Sequence, residues 1–350
     1  MLKQRNVTLD VSKGLILITL PVIHSVLFFC STSVHHSGGG KMLALIAEQA
    51  APVFMMTMGI AITHGKQKTA RQILRRSLKL LLLGYSLNVL KFVIPALCLG
   101  LPESLFIENG IRKDFHGLFR LIIIGDILQL AAISYLICGF LYRVQRYALW
   151  AAGIALLTIL FSPITWNIQP AGVIFVHPVA LLNGVPPDSF FPVFPWMAYP
   201  ISGLAVGYIM KSFTERKAYL LLSISGLIFC ILGLIGSHYE PTEWLTNFYR
   251  LGPSGTCLHV GSALLFITSC HLITKAPRSS KIIQFLNMLS RQVTFVYMIQ
   301  WILVCWLLPV FGYHTKTFPS ALLPILIVTL TTIFLTYLYT YTQPKASRVQ

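Results

Sequence analysis

Ten apolar stretches, each of about 20 residues, constrain this chain more than any other feature. They run roughly over 14–30, 42–63, 79–100, 118–141, 147–165, 191–209, 218–236, 254–273, 293–311 and 318–340. A helix of that length crosses the hydrocarbon core of a bilayer, about 30 Å thick. Inside that core every backbone polar group must be satisfied within its own segment, which favours helices. With 55% hydrophobic and only 11% charged residues, the expected fold is an all-α polytopic integral membrane protein with about ten transmembrane helices. A single transmembrane domain is expected over 1–341, followed by a short polar tail over 342–350.

The formal charge of +17 would suit nucleic acid if it lay in one patch. It does not. Twenty of the 27 Lys/Arg fall in the segments on the N-terminal side of the membrane, from Lys3, Arg5 and Lys13 through Lys66–Lys79 to Arg278, Lys345 and Arg348. Five (Lys41, Arg112, Lys113, Arg250 and Lys316) fall in the opposite loops. By the positive-inside rule both termini are cytoplasmic, in a plasma (inner) membrane. The basic balance is therefore a topology signal, and no nucleic-acid partner is expected. The N-terminus resembles a signal peptide in its basic start, but no A-x-A-like site follows, so it reads as the first span. The seven cysteines are scattered within or at the edges of spans, with no metal-ligand spacing. Neither a disulfide framework nor a metal is expected.

The first span, DVSKGLILITLPVIH over Asp10–His24, sets a lysine at its entrance and a histidine deep inside. Eleven steps from Lys13 to His24 return to nearly the same helix face about 16 Å further along. A titratable group there is costly and so points to use. The alternative is a histidine that bonds a neighbouring helix and a lysine that orients the segment. The loop that follows carries His35 and His36 beside Gly38–Gly40, suited to acid–base chemistry or merely solvated. In the second span Glu48 lies about two turns from the outer surface, above a kink expected at Pro52. It either serves a binding cavity or reaches interfacial water.

The stretch His64–Lys79 is the most basic in the chain. It reads as a cytoplasmic loop for anionic headgroups, or as a collar for a polyanionic cytosolic ligand that includes Arg75 and Arg76. Spans three and four hold Asn88, Lys91, Arg120, Asp126 and Gln129. Lys91 and Asp126 fall at similar depths and are a candidate buried ion pair, whether for folding or for function. Asp126 and Gln129 share a helix face, and Arg120 is shallow enough to face the outer loop or to snorkel. The long outer segment 166–190 leads into FFPVFPWMAYPISG, whose aromatics suit an interfacial belt or a sugar-stacking surface. Later spans are plainer, with His259 and His271, then Gln300 and Trp301.

These segments carry a resemblance. DVSKGLILITLPVIH resembles the N-terminal signature of the transmembrane acyltransferases, and Lys13 with His24 meets the Arg/Lys-x10-His spacing of acyltransferase family 3. AEQAAPVFMMTMGIA is similar to the acidic-x3-Pro-x-Phe segment of the heparan-α-glucosaminide N-acetyltransferase branch, carried by Glu48, Pro52, Phe54 and Gly59. RLIIIGDILQLAAISYL resembles that branch's Arg…Gly-x-Leu-Gln…Tyr helix at Arg120, Gly125, Leu128, Gln129 and Tyr135. FPVFPWMAYPISGLAVG resembles its Phe-Pro-x-x-Pro-Trp segment. Asp126 and Leu130 depart from the branch pattern, which has apolar and basic residues there.

The resemblance implies an acyl-CoA-dependent O- or N-acyltransferase. It would move an acyl group, acetyl by preference, from cytosolic acetyl-CoA to a sugar hydroxyl or amine of an extracytoplasmic glycan or glycolipid. The partners are then acyl-CoA, the acceptor glycan and the lipid bilayer, with a homodimer left open. Lys13, Arg75 and Arg76 would meet the CoA phosphates. His24 would be the general base, with His35 and His36 in reserve and Glu48 and Asp126 as further catalytic candidates. Asn88, Lys91, Arg120 and Gln129 would serve the donor or the oxyanion. The competing class is a multi-span transporter or flippase for a polar or glycolipid substrate, which also needs intramembrane charges and broken helices. Its expected mark is two matching halves, whereas this chain gathers its polar groups in spans one to four.

Overall fold

The computed structural model describes residues 6–275 and 280–343. Lys3, Arg5, Arg278, Lys345, Arg348 and the tail from 344 lie outside the described residues. Among the described residues the chain is all-α, and paired extended backbone is confined to two isolated bridges. Nine helical stretches there are long and apolar enough to cross a bilayer.

In chain order α1 is Val7–Phe29, and α2 (Gly38–Glu48) and α3 (Ala50–His64) make up the second span. Next come α4 (Ala70–Asn88), continued by a π-helical turn Val89–Val93 and Ile94–Cys98, then α5 (Phe115–Ile123) and α6 (Ile127–Leu141). They are followed by α7 (Tyr147–Thr165), α8 (Val173–Asn183), α9 (Ala198–Ser212) and α10 (Glu215–Gly236). The last four are α11 (Pro253–Ile273), α12 (Lys281–Arg291), α13 (Val293–Phe311) and α14 (Phe318–Thr342).

Three departures from the expected spans have physical causes. The second span breaks at Gln49, between Glu48 and Ala50. Pro52 has no N–H to offer the carbonyl of Glu48 four residues earlier. The third helix starts at Ala70 rather than Lys79, so the basic stretch is a loop only through residues 65–69 and helical from Ala70. The fourth span is not one helix. It stops at Ile123, and Asp126 caps a new helix, its side chain accepting from Ile127 N–H at 2.7 Å. Gln129 reaches back to accept the Asp126 N–H at 3.1 Å, completing a capping box. The break is stitched to the segment before α9, with Gly125 N–H donating to Asp188 O at 2.9 Å and Phe190 N–H to Gly125 O at 2.8 Å.

The chain divides into two compact units. The first comprises 1–50, 87–118 and 270–350, with α1 packed against α12, α13 and α14. Asn6 opens α1 by accepting the Leu9 N–H at 3.3 Å. Gly14 lets α12 approach closely, since a Cβ there would lie 2.5 Å from the Leu286 carbonyl oxygen. The second unit comprises 51–86 and 119–269. Its apolar core sets Cys138 of α6, Ala151 and Ala155 of α7, and Ile201 and Leu204 of α9 together. Gly59 of α3 and Gly203 of α9 meet backbone to backbone, the close approach that small residues permit between membrane helices. On α4 a narrow edge is buried, with Ser77 Oγ donating to Ala132 O at 2.7 Å and Gly84 set against the Gln129 side chain.

The aromatic entry to α9 is not an interfacial belt. Trp196 and Tyr199 are fully buried. Trp196 packs edge-to-face on Phe191 and Phe248 and donates its Nε1–H to Tyr249 O at 3.1 Å. An indole with a backbone acceptor in reach gains more from burial here than from lying among headgroups.

Candidate active site

The C-terminal part of α1 gathers several titratable side chains of the first unit. His24 lies five residues before Phe29, so it sits about 8 Å from the end of α1 rather than at mid-height. Its Nδ1 is 2.9 Å from Gln300 Oε1, and Gln300 Nε2 donates to Tyr297 O at 3.1 Å. With the amide nitrogen committed to a carbonyl, its oxygen faces the ring and accepts from His24 Nδ1–H. The imidazole stacks on Trp301 at 4.1 Å between centroids. The same indole receives the Lys91 ammonium at 4.8 Å from its centroid. Lys91 is buried within the π-helical turn and also lies 4.9 Å from the Phe92 ring. An imidazole and a cation thus share one indole.

In the short helical turn beyond α1, His35 folds back and donates its Nε2–H to Val26 O at 3.1 Å. Its ring meets His314 edge-on at 5.3 Å. His314 sits between two acceptors, with Nδ1 2.7 Å from Glu108 Oε2 and Nε2 3.1 Å from Leu27 O. Both ring nitrogens therefore face oxygen acceptors. The backbone around it is zipped to α1, with His314 N–H donating to Phe28 O at 3.0 Å and Lys316 N–H to Phe29 O at 2.8 Å. Tyr313 stacks on His314 at 3.9 Å, and burial pushes its phenol above the usual range. His36 is exposed. The sequence reading missed His314 and Glu108, because no local motif links a loop histidine to a carboxylate 206 residues away.

At the other end of α1, Lys13 pairs with Asp10 at 3.4 Å, and Asp10 accepts the Ser290 hydroxyl at 2.7 Å. Lys13 and His24 are both half-buried, as residues on one helix face facing the same surroundings should be. Glu48 is half-buried at the break after α2.

The remaining sequence-derived candidates are dispersed. Asn88 is buried in the first unit. Arg75 and Arg76 belong to the second unit, Arg75 exposed and Arg76 lying over the Tyr135 ring at 4.9 Å. Arg120 is bonded to Asp188 at 2.6 Å, a partner the sequence reading did not name. Asp126 and Gln129 form the cap of α6. Lys91 belongs to the first unit and Asp126 to the second, so the ion pair expected between them stays a proposal. On α8, His177 bonds the Tyr85 hydroxyl at 2.8 Å, and burial lowers its pKa while Asp188 pulls the other way. Among the described residues no group of three or more His, Cys, Asp or Glu is placed to hold a metal, and the seven cysteines are free thiols.

No curated protein matches the chain. A family model described as heparan-alpha-glucosaminide N-acetyltransferase, catalytic, matches residues 5–239. That stretch carries His24, His35, Lys91 and Glu108, whereas Gln300, Trp301 and His314 lie beyond it. Covering well over half of a chain with nine membrane-length helices, the match shows that this protein belongs to the heparan-α-glucosaminide N-acetyltransferase catalytic family, a family of membrane acetyltransferases.

Proposed function

We propose that this protein takes an acetyl group from cytosolic acetyl-CoA and delivers it to a hydroxyl or amine of an extracytoplasmic glycan. The reading rests on one observation: the tautomer of His24 is set by Gln300 while Lys91 lies on the same Trp301 ring. Lys13, at the N-terminal entrance of α1, is the cation for the donor's phosphates, and the charge bias of the loops supports a cytoplasmic entrance.

In the proposed reaction His24 Nε2 takes the proton of the acceptor hydroxyl or amine as the acceptor atom attacks the thioester carbonyl. The Lys91 ammonium faces the negative charge that develops on the carbonyl oxygen. When the tetrahedral species collapses, the carbon–sulfur bond breaks, and the imidazolium returns its proton to the departing thiolate. Gln300 holds the ring throughout, as the third member of a base-orienting arrangement. His35, with Nε2–H spent on Val26 O, keeps a lone pair on Nδ1 and is the reserve base on the acceptor side.

A second reading draws on the broken fourth span, since an interrupted helix beside polar residues is also how transporters build a substrate site. The deciding experiment uses proteoliposomes with labelled acetyl-CoA outside and a glycan acceptor within. Labelled glycan supports the transferase. Glycan crossing the membrane unmodified and independent of acetyl-CoA supports the transporter.

A further inference from the structure

The first three turns of α4 present an exposed face, apart from the histidine cluster of the first unit. Arg71, Arg75 and Lys79 recur at four-residue intervals, about 6 Å apart along the axis. Leu74, Leu78 and Leu82 run beside them and are 49%, 50% and 67% exposed. These side chains line a shallow groove of about 580 Å³. The opposite edge of the helix is fixed against α6 by Ser77 and Gly84, so this face cannot turn inward. No acidic residue occurs anywhere on α4, and the helix lies within a membrane-length apolar stretch, Ala70–Cys98.

We propose that this groove binds an anionic phospholipid. Its phosphate is held by Arg71, Arg75 and Lys79, and one acyl chain lies along Leu74, Leu78 and Leu82. Long cationic side chains reach from such a helix to the headgroup level while their stems cover apolar surface. Clustered cations at the cytoplasmic end of a span attract anionic headgroups. The three cations have no carboxylate on their own helix, so the complement they lack is negative charge. The leucine row makes the partner an amphiphile, and a zwitterionic headgroup would bring an opposing cation to the same place. The proposal is independent of the acetyl-transfer reading.

The test uses the full-length protein in nanodiscs containing a trace of phosphatidylglycerol with a photoreactive acyl chain. Adducts are mapped by peptide mass spectrometry. Adducts on the peptide spanning 70–86, displaced by unlabelled phosphatidylglycerol but not by phosphatidylcholine, are the expected result. Removing cations as Arg71→Gln, Arg75→Gln and Lys79→Gln should weaken labelling roughly fivefold per charge. Because these charges also steer insertion, Leu78→Trp is run beside them, filling the groove with every charge retained, and it too should abolish the adduct. Equal displacement by phosphatidylcholine would show bulk lipid contact and overturn the proposal. Displacement by acetyl-CoA, or an adduct surviving in Leu78→Trp, would overturn it equally.

Discussion

His24 Nδ1 and Gln300 Oε1 lie 2.9 Å apart across 276 residues of sequence. The contact decides which ring nitrogen of His24 can act as a base. Gln300→Leu should therefore lower acetyl transfer by roughly tenfold or more with little change in the KM for acetyl-CoA, because the ring keeps its stacking but loses its tautomer control. His24→Ala should cost about 10²–10⁴-fold in transfer. Turnover in proteoliposomes decides. A well-folded His24→Ala protein with near-normal turnover would remove His24 as the base.

Lys91→Met keeps length and apolar bulk but removes the cation beside Trp301. The expected loss is about 10²–10³-fold in kcat, the range for one oxyanion-stabilising donor, with donor binding close to normal. A rise in KM at constant kcat would instead assign Lys91 to ground-state binding.

His314 bridges Glu108 and the Leu27 carbonyl through its two ring nitrogens, a positioning contact. His314→Asn suits the backbone, because His314 has φ 55° and asparagine tolerates that left-handed conformation. It still loses both side-chain bonds. The expected outcome is a fall of about 1 kcal/mol in stability, a fall in kcat and an unchanged KM for acetyl-CoA. Glu108→Gln should do less, since glutamine can still accept from Nδ1. Thermal unfolding in detergent, run beside the transfer assay, separates these effects.

The Tyr85–His177 contact carries a pH dependence with a definite sign. Burial depresses the folded-state pKa of His177, so the native state holds a neutral ring able to accept from Tyr85. Above the unfolded value of about 6.5 the ring is neutral in both states. As pH falls below that value the unfolded chain takes up the proton first, and stability is lost. A thermal-unfolding series from pH 7.5 to 5 should show a steeper fall for the native protein than for His177→Phe. Parallel curves would mean that His177 does not contribute.

Much of this architecture was legible in residue pattern alone. The span limits expected at 147–165 and 293–311 coincide with helices Tyr147–Thr165 and Val293–Phe311, because unbroken apolar runs bounded by polar residues leave little freedom at their ends. The fourth span misled for the opposite reason. Asp126 and Gln129 stand three apart, which suits both a shared helix face and a capping box, and only the partner segment at Asp188–Phe190 decides between them. Arg120 looked like a ligand residue because Asp188, its partner, is 68 residues away. The pairing of His24 with Gln300 joins two spans each legible by itself. Which pair of helices meets is a tertiary fact that no local period encodes.

The composition of the first unit bears on how the protein is made. A ribosome delivers the N-terminus first, so α1 enters the membrane long before α12, α13 and α14, the helices that surround it. Every residue of the second unit is synthesised before Cys270, whereas His24 waits for Gln300, Trp301 and His314. The nascent chain therefore carries His24 without the side chains that contact it until nearly the last helix is inserted. Translation that stops after α11 would leave His24 without Gln300, Trp301 and His314, so this cluster forms only once the last helices are made.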